Sequence, residues 1–91
     1  MKPNLSISLV AGQPLIAWKK QGMDGIEIFK RSADSDWVML IFDQRPNHLD
    51  NNPLPAEDTK ATWTYKAIYR FQDERVGQWS DEVIVVVSGA V

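Results

Sequence analysis

The sequence predicts an all-β sandwich of seven short antiparallel strands, and three observations support this fold class. No segment of convincing length has the 3.6-residue spacing of apolar side chains that marks a helix. Short runs alternate apolar and polar residues and are bounded by Gly, Pro, Asn or Asp, which is typical of strands. The 91-residue chain is 44% hydrophobic with four Trp, which suits one compact core and leaves too little chain for a second.

Turn residues divide the first part of the chain into four predicted strands. Leu5, Ile7 and Leu9 alternate with polar residues in the first strand, and Ile16 and Trp18 mark the second. A turn at 21–25 follows, in which Gly22 and Gly25 are both able to take positive φ. The third strand is predicted from Ile26 to Ser32. After a polar turn at 33–36, the fourth strand is predicted from Trp37 to Phe42.

The stretch from 61 to 88 is predicted to form the last hairpin and says most about the fold. Its first strand places Trp63, Tyr65, Ala67, Tyr69 and Phe71 at every second position. A charged turn ending at Gly77 follows, and the returning strand has Val83, Val85 and Val87 in step. Between the fourth strand and this hairpin, three prolines leave room only for a short edge strand near residues 47–50.

Composition excludes several classes of protein. A net charge of −2 argues against a nucleic-acid binder, which normally shows a basic surface. No apolar run reaches the roughly 18 residues needed to cross a bilayer, so membrane insertion is not expected. The first residues lack the uninterrupted apolar segment of a secretory signal, and the compartment stays open. Because the chain has no Cys, it forms neither a disulfide nor a thiolate metal site.

Reactive side chains form no recognisable catalytic or metal-binding pattern. His48 is the only histidine, with Asp43 and Asp50 nearby, and it lacks the further ligands that a zinc site needs. Asp34 and Asp36 are best interpreted as turn residues, because the calcium-binding loop pattern around them is missing. We therefore expect no enzyme activity, no catalytic residue, no metal and no cofactor.

The order of these residues resembles that of a fibronectin type III domain. Each motif is weak alone, and the resemblance depends on their order and spacing over about residues 4–88. One departure is Ile26, where the family usually has Tyr. The matching segments are 16–18 for strand B, 25–28 for strand C, Trp37 and Leu40 for C′, 49–50 and Leu54 around strand E, 64–66 for strand F, and Gly77, Trp79, Ser80 and Val83 before and in strand G.

The resemblance implies a seven-stranded antiparallel immunoglobulin-like sandwich, with strands A, B and E facing C′, C, F and G. The domain would span residues 4–88, with tails at 1–3 and 89–91. Tyr65 is the expected corner tyrosine, whose hydroxyl would bond to upstream backbone; Trp63 is the competing alignment for that position. The family is non-catalytic and serves as a spacer or as a protein- or carbohydrate-binding module. Any role transferred from the family to this chain is an analogy, because fold does not imply function.

The fourth predicted strand suggests where a partner binds. If Leu40 points inward, then Val38 and Phe42 do as well, and alternate residues of this wholly apolar run face outward. The same parity turns apolar residues of strands C, F and G outward, and these side chains form one patch unless Lys and Arg stems or the Pro-rich segment cover it. The predicted protein interface comprises Phe29, Trp37, Met39, Ile41, Ile68, Ile84 and Val86.

The expected partner of this interface is another protein, a neighbouring domain or a second copy of the chain, since an apolar edge strand invites edge-to-edge pairing. The alternative is a carbohydrate-binding module that uses Trp79 with Gln78 and Asp73 as polar contacts. Core filling is the simpler interpretation of the other aromatic residues, because Trp18, Trp63 and the two tyrosines have the inward parity of their strands.

Overall fold

Two antiparallel sheets pack face to face in the computed structural model, which describes residues 1–89. The first sheet has the order β1-β2-β5, and the second has the order β4-β3-β6, with β7 and β8 along the other edge of β6. The predicted all-β fold of two antiparallel sheets is confirmed. The strands are β1 Ser6–Val10, β2 Gln13–Ala17, β3 Gly25–Ser32, β4 Val38–Asp43, β5 His48–Leu49, β6 Lys60–Phe71, β7 Glu74–Val76 and β8 Val83–Ser88.

The core lies between the two sheets and is filled mainly by aromatic and β-branched side chains. The inward parity predicted for Trp63, Tyr65, Ala67 and Tyr69 is confirmed, because all four are buried. The inward valines of β8 pack with them, whereas Phe71 at the end of β6 is 40% exposed. Leu9 departs from the alternation of β1 and is exposed. The buried cluster comprises Leu5, Ile16, Trp18, Ile26, Ile28, Trp63, Tyr65, Ala67, Tyr69 and Val87.

The long strand β6 organises the second sheet. It pairs with β3 along one edge, and its other edge is shared by β7 and β8. The turn into β7 consists of Gln72 and Asp73, whose φ angles of 51° and 66° are those of a two-residue hairpin turn of type I′. The prediction of a longer turn ending at Gly77 was therefore wrong. Residues 1–89 contain eight strands instead of the predicted seven, because residues 77–82 interrupt the last one.

Ser80 closes this interruption. Its backbone N–H donates to the Ala67 carbonyl at 2.7 Å, and its Oγ accepts from the Ala67 N–H at 2.9 Å. A single residue thus satisfies both backbone groups of Ala67, which would otherwise be buried without partners at a cost of about 1–3 kcal/mol. The chain is thereby held to β6 while the preceding residue, Trp79, turns across the outer face of the sheet.

A β-bulge in β4 reverses part of the predicted orientation. Ile28 pairs with Ile41 and Phe29 pairs with Met39, so Leu40 is an extra residue without a partner. Both Leu40 and Ile41 pack against the core as a result. The prediction that Ile41 faces outward was wrong.

The same bulge corrects the orientation of one further residue of β4 and leaves another on its predicted side. Phe42 was predicted to point inward, but it pairs with Glu27 and lies under the Arg70 guanidinium on the outer face. Val38 pairs with Lys30, whose side chain lies on the inner face, so Val38 keeps its predicted side, yet it is 65% exposed because it lies at the edge of the sheet. The bulge therefore reverses Ile41 and Phe42 and leaves Val38 and Met39 on the sides that regular alternation from Leu40 gives them.

Gly25 is needed for close packing and not for a turn. It is the first residue of β3, and its φ is not positive, unlike that of Gly22. A Cβ at this position would collide with the Asp43 carbonyl oxygen and approach Phe42 Cε1 to 2.9 Å. Because the obstacle is partly backbone, a side chain here requires β3 and β4 to separate.

The residues assigned to tails have contacts where they are described. The Met1 carbonyl accepts a hydrogen bond from the Gln78 N–H at 2.9 Å, and Lys2 pairs with Asp81 at 2.7 Å. At the other end, the Gly89 N–H donates to the Thr59 carbonyl at 2.8 Å. The remainder of that predicted tail, residues 90–91, lies outside the described residues.

Candidate interaction surface

The outer face of the second sheet is covered by alternating basic and aromatic side chains. The strands contribute Phe29 and Arg31 from β3, Lys66 from β6 and Arg75 from β7, while two tryptophans reach over them from the segments before β4 and β8. We call this set the cation–aromatic layer: Phe29, Arg31, Trp37, Lys66, Arg75 and Trp79.

Trp79 is fixed in the layer by three neighbours. Its ring meets Phe29 edge to face with centroids 5.3 Å apart. Lys66 Nζ lies 4.5 Å and the Arg75 guanidinium 5.4 Å from the centroid of the Trp79 ring. Distances below about 6 Å are those of cation–π contacts, so Trp79 is held by its surroundings although it is partly exposed.

Trp37 occupies the corresponding place on the other side of Lys66. Lys66 Nζ lies 4.5 Å from the Trp37 ring centroid, and the Arg31 guanidinium lies 4.8 Å from the same centroid. Lys66 is therefore in contact with two indoles, and Trp37 is in contact with two cations. The Lys66 stem crosses the sheet in the way expected of a long basic side chain over apolar surface.

Glu27 neutralises the basic groups at the other end of this face. Its Oε1 accepts hydrogen bonds from Arg75 at 2.8 and 3.1 Å, and its Oε2 lies 3.5 Å from Arg70 Nε. The hydrogen bond to Glu27 raises the pKa of Arg75 above its ordinary value. Ile68, which pairs with Glu27, is only 6% exposed and does not offer contact area to a partner.

The predicted interface residues do not form one apolar patch. Phe29 and Trp37 are partly buried in the cation–aromatic layer, whereas Met39, Ile84 and Val86 are 44–65% exposed. Met39 lies on β4 and the other two lie on β8, at opposite edges of the sheet. The structure thus separates two exposed apolar areas by the cation–aromatic layer together with Glu27 and Arg70, which we call the charged strip. Ile68 lies beneath this strip, and Ile41 packs against the core.

The residues proposed as sugar contacts have different surroundings. Asp73 is exposed in the turn between β6 and β7, and Gln78 is exposed beside Met1. Trp79 already has Lys66 and Arg75 over its ring, so a sugar that stacks on that ring face has to displace a basic side chain. The carbohydrate interpretation stays a prediction.

A buried charged network on the inner face was not anticipated. Asp50 Oδ2 accepts from Lys30 Nζ at 2.7 Å and from the Tyr65 hydroxyl, while Asp50 Oδ1 accepts from the Asn52 N–H at 3.2 Å. Asp50 is 1% exposed, and the Lys30 side chain is 12% exposed above the Trp63 ring. One signal pointed to this network, since Lys30 has the same strand parity as the buried Ile26 and Ile28.

The hydrogen bonds of this network determine its protonation. Burial alone would raise the pKa of Asp50, but the bonds from Lys30, Tyr65 and Asn52 outweigh burial and leave the pKa below its ordinary value. Burial and the bond to Asp50 both raise the pKa of the Tyr65 hydroxyl. Tyr65 does not bond to upstream backbone as expected of a corner tyrosine; Tyr69 does so, donating to the Lys19 carbonyl at 2.7 Å.

The carboxylates near His48 have other partners. Asp43 accepts a hydrogen bond from the Trp18 indole at 2.8 Å, and Asp50 belongs to the buried network. His48 itself pairs with Ile16 in the first sheet. Within residues 1–89, no three His, Cys, Asp or Glu side chains are grouped so as to hold a metal ion.

Open clefts lie in the surface of the sandwich, and two of them border residues already described. One of about 450 Å³ is lined by Trp18, Asn47 and Tyr69, and one of about 400 Å³ beside β4 is lined by Lys30, Met39 and Asn52.

Over the described part of the chain, no helix is long and apolar enough to cross a membrane. Comparison with protein-family models, curated proteins and solved structures yields no match.

Proposed function

We propose that the chain is a non-catalytic protein-interaction or spacer module with the fibronectin type III topology, working as part of a larger or multi-subunit protein. The strand orders support the topology. β1-β2-β5 corresponds to the A-B-E order implied by the resemblance, and β4-β3-β6-β8 corresponds to C′-C-F-G. The interrupted last strand is accommodated as strand G in two pieces joined through Ser80.

The interaction role is proposed from the exposed apolar residues of the second sheet. Met39, Ile84 and Val86 leave 44–65% of their surface in contact with water, although each lies within a strand of the sheet. Covering such side chains gains about 25 cal/mol for every Å² removed from water. A protein partner with apolar side chains at these positions and polar groups over the charged strip between them fits this face.

Site-specific photocrosslinking in the source cells tests the proposal. A photoreactive phenylalanine analogue replaces Met39 in one variant and Ile84 in a second variant. The control carries the analogue at Leu9, which is 51% exposed on the first sheet and is therefore as accessible to chance collisions. We expect discrete protein adducts from position 39 or 84 and none from position 9.

The identity of the adduct assigns the partner. An adduct of twice the chain mass indicates a second copy, and sedimentation of the wild-type chain against Met39→Glu then tests self-association directly. Two outcomes count against an interaction surface on this face. In one, the same adducts form from all three positions; in the other, no adduct forms from position 39 or position 84.

A further inference from the structure

We propose that Lys66 and Arg31, together with Trp37 and Trp79, form a binding site for the carboxylate side chains of an acidic, extended segment of a partner protein. This inference rests on the proposed function and specifies the chemistry of the partner. It assigns the binding contact to the charged strip and not only to the exposed apolar residues at the edges of the sheet.

The Lys66 ammonium group is held in place by aromatic rings and has no carboxylate partner among the described residues. Its Nζ lies 4.5 Å from each of two indole centroids, which restricts the side chain to one region of the face. Within residues 1–89 it forms no salt bridge, whereas Lys2 and Lys30 each lie 2.7 Å from a carboxylate. An ammonium group held in this way has already lost much of the rotamer freedom that binding an anion would otherwise restrict.

Arg31 brings a second positive charge to the same tryptophan. Its guanidinium lies 4.8 Å from the Trp37 centroid, and its salt-bridge partner among the described residues, Glu82, is 3.8 Å away. That distance is too long for a hydrogen bond. Two cations against one ring repel each other, and a carboxylate that contacts both relieves this repulsion.

The charge of the face is complementary to an acidic partner. Five basic side chains point outward from β3, β6 and β7, with Lys60 at the far end of β6, and the carboxylate of Glu27 is occupied with two of them, Arg70 and Arg75. Asp73 contributes only a contact at 4.0 Å from an almost fully exposed position. The strip therefore has a positive surplus at its Lys66 end, although the whole chain has a net charge of −2.

The register of the strands favours a peptide over a free anion. Met39, Phe29 and Lys66 stand side by side on adjacent strands and on the same face. Adjacent strands are about 4.8 Å apart, so the exposed Met39 side chain lies roughly 10 Å from the strand of Lys66. An extended segment that places an apolar side chain on Met39 can reach Lys66 with a neighbouring carboxylate.

The probe is an acetylated, amidated peptide of alternating Glu and Leu, with a Gln-and-Leu peptide as its neutral match. Binding is followed by the indole N–H signals of Trp37 and Trp79 in ¹H–¹⁵N spectra. We expect saturable shifts with the acidic peptide that weaken as salt rises, because the contact is solvent-exposed. Lys66→Gln should weaken binding about five-fold, while Lys60→Gln, an exposed position on the same strand and face, should leave it unchanged.

Four results overturn the inference. Equal binding of the neutral peptide, or equal binding by Lys66→Gln, removes the carboxylate from the recognition. Shifts at the same indoles with sodium sulfate or acetate as strong as those with the peptide assign a small-anion site. If the acidic peptide does not bind while position 39 or 84 still crosslinks to a protein, the partner chemistry is wrong and the interaction function stands.

Discussion

Two lysines occupy similar aromatic surroundings on opposite faces of the second sheet. On the inner face, Lys30 Nζ lies 3.3 Å from the Trp63 centroid and 2.7 Å from Asp50. On the outer face, Lys66 Nζ lies 4.5 Å from both Trp37 and Trp79, with no salt bridge to a described residue. Both lysines contact aromatic rings, but among the described residues only the lysine on the inner face also has a carboxylate partner.

This difference separates a structural role from a binding role. A buried charge requires a partner, because desolvation of an isolated ion costs several kcal/mol. A partly exposed cation keeps water and needs no partner for stability, so it is free to accept one from another molecule. We therefore expect changes at the inner lysine to alter folding and changes at the outer lysine to alter binding.

The largest effect is expected from Asp50→Asn, which removes the charge and keeps the shape. Lys30 then remains against Trp63 without a counter-ion, and the free energy of unfolding should fall by about 3 kcal/mol. Urea unfolding followed by tryptophan fluorescence measures it. Asp36→Asn, at an exposed turn, is the control and should change stability by less than about 0.5 kcal/mol. Similar values for the two variants would remove the structural role of the inner network.

A smaller loss is expected from Tyr65→Phe. Its hydroxyl donates to a charged acceptor, and such bonds contribute about 1.5–3 kcal/mol. Tyr69→Phe is the matched control, because Tyr69 is also buried on β6 but donates to the neutral Lys19 carbonyl, a bond of about 0.5–1.5 kcal/mol. A cost at Tyr69 that equals or exceeds the cost at Tyr65 would contradict the importance of the Asp50 charge.

Acid should weaken the inner network gradually. The pKa of Asp50 is lower in the folded chain than its unfolded value of about 3.9, so its contribution to stability is complete above that value. The contribution is lost as the pH falls through the lower, folded-state pKa. Urea midpoints of wild type and Asp50→Asn between pH 7 and pH 2 should therefore converge on acidification. A constant difference over that range would show that Asp50 does not act as a carboxylate.

The smallest effect on stability is expected from Lys66→Gln. Two partly exposed cation–π contacts are lost, each contributing about 0.5–1 kcal/mol before the glutamine stem restores part of the packing. We expect a total loss below about 1 kcal/mol in the same urea experiment. A loss as large as that of Asp50→Asn would mean that the outer layer holds the sheet together, and the two lysines would then have the same role.

Strand alternation in the sequence predicts the core well because aromatic residues at every second position of β6 leave little choice of orientation. It fails at β4, where residues 38–42 are all apolar and nothing in the pattern fixes which side faces inward. The bulge at Leu40 determines which side chains of β4 face inward, and it arises from the pairing of β4 with β3. Ile41 and Phe42 were assigned to the wrong faces for this reason.

The candidate site was only half predictable. Lys66 and Arg31 have the outward parity of their strands, and Trp37 directly precedes β4. The sequence therefore indicates basic side chains around an apolar face. The place of Trp79 in that layer depends on Ser80, which bonds to Ala67 across the interruption of the last strand. This contact is thirteen residues away along the chain. Propensity and alternation describe neighbours in sequence and do not detect it.

The position of β6 in the second sheet has a consequence for synthesis of the chain. β3 pairs with β6 between Gly25 and Arg70 at one end and between Ser32 and Trp63 at the other, so its partner is made much later than β3 itself. As the chain leaves the ribosome, the apolar faces of β2 and β3 stay uncovered until β6 emerges. Folding that depends on such distant pairings is slow, on the order of milliseconds to seconds. The nascent chain therefore passes through a period in which it is open to chaperones and to aggregation.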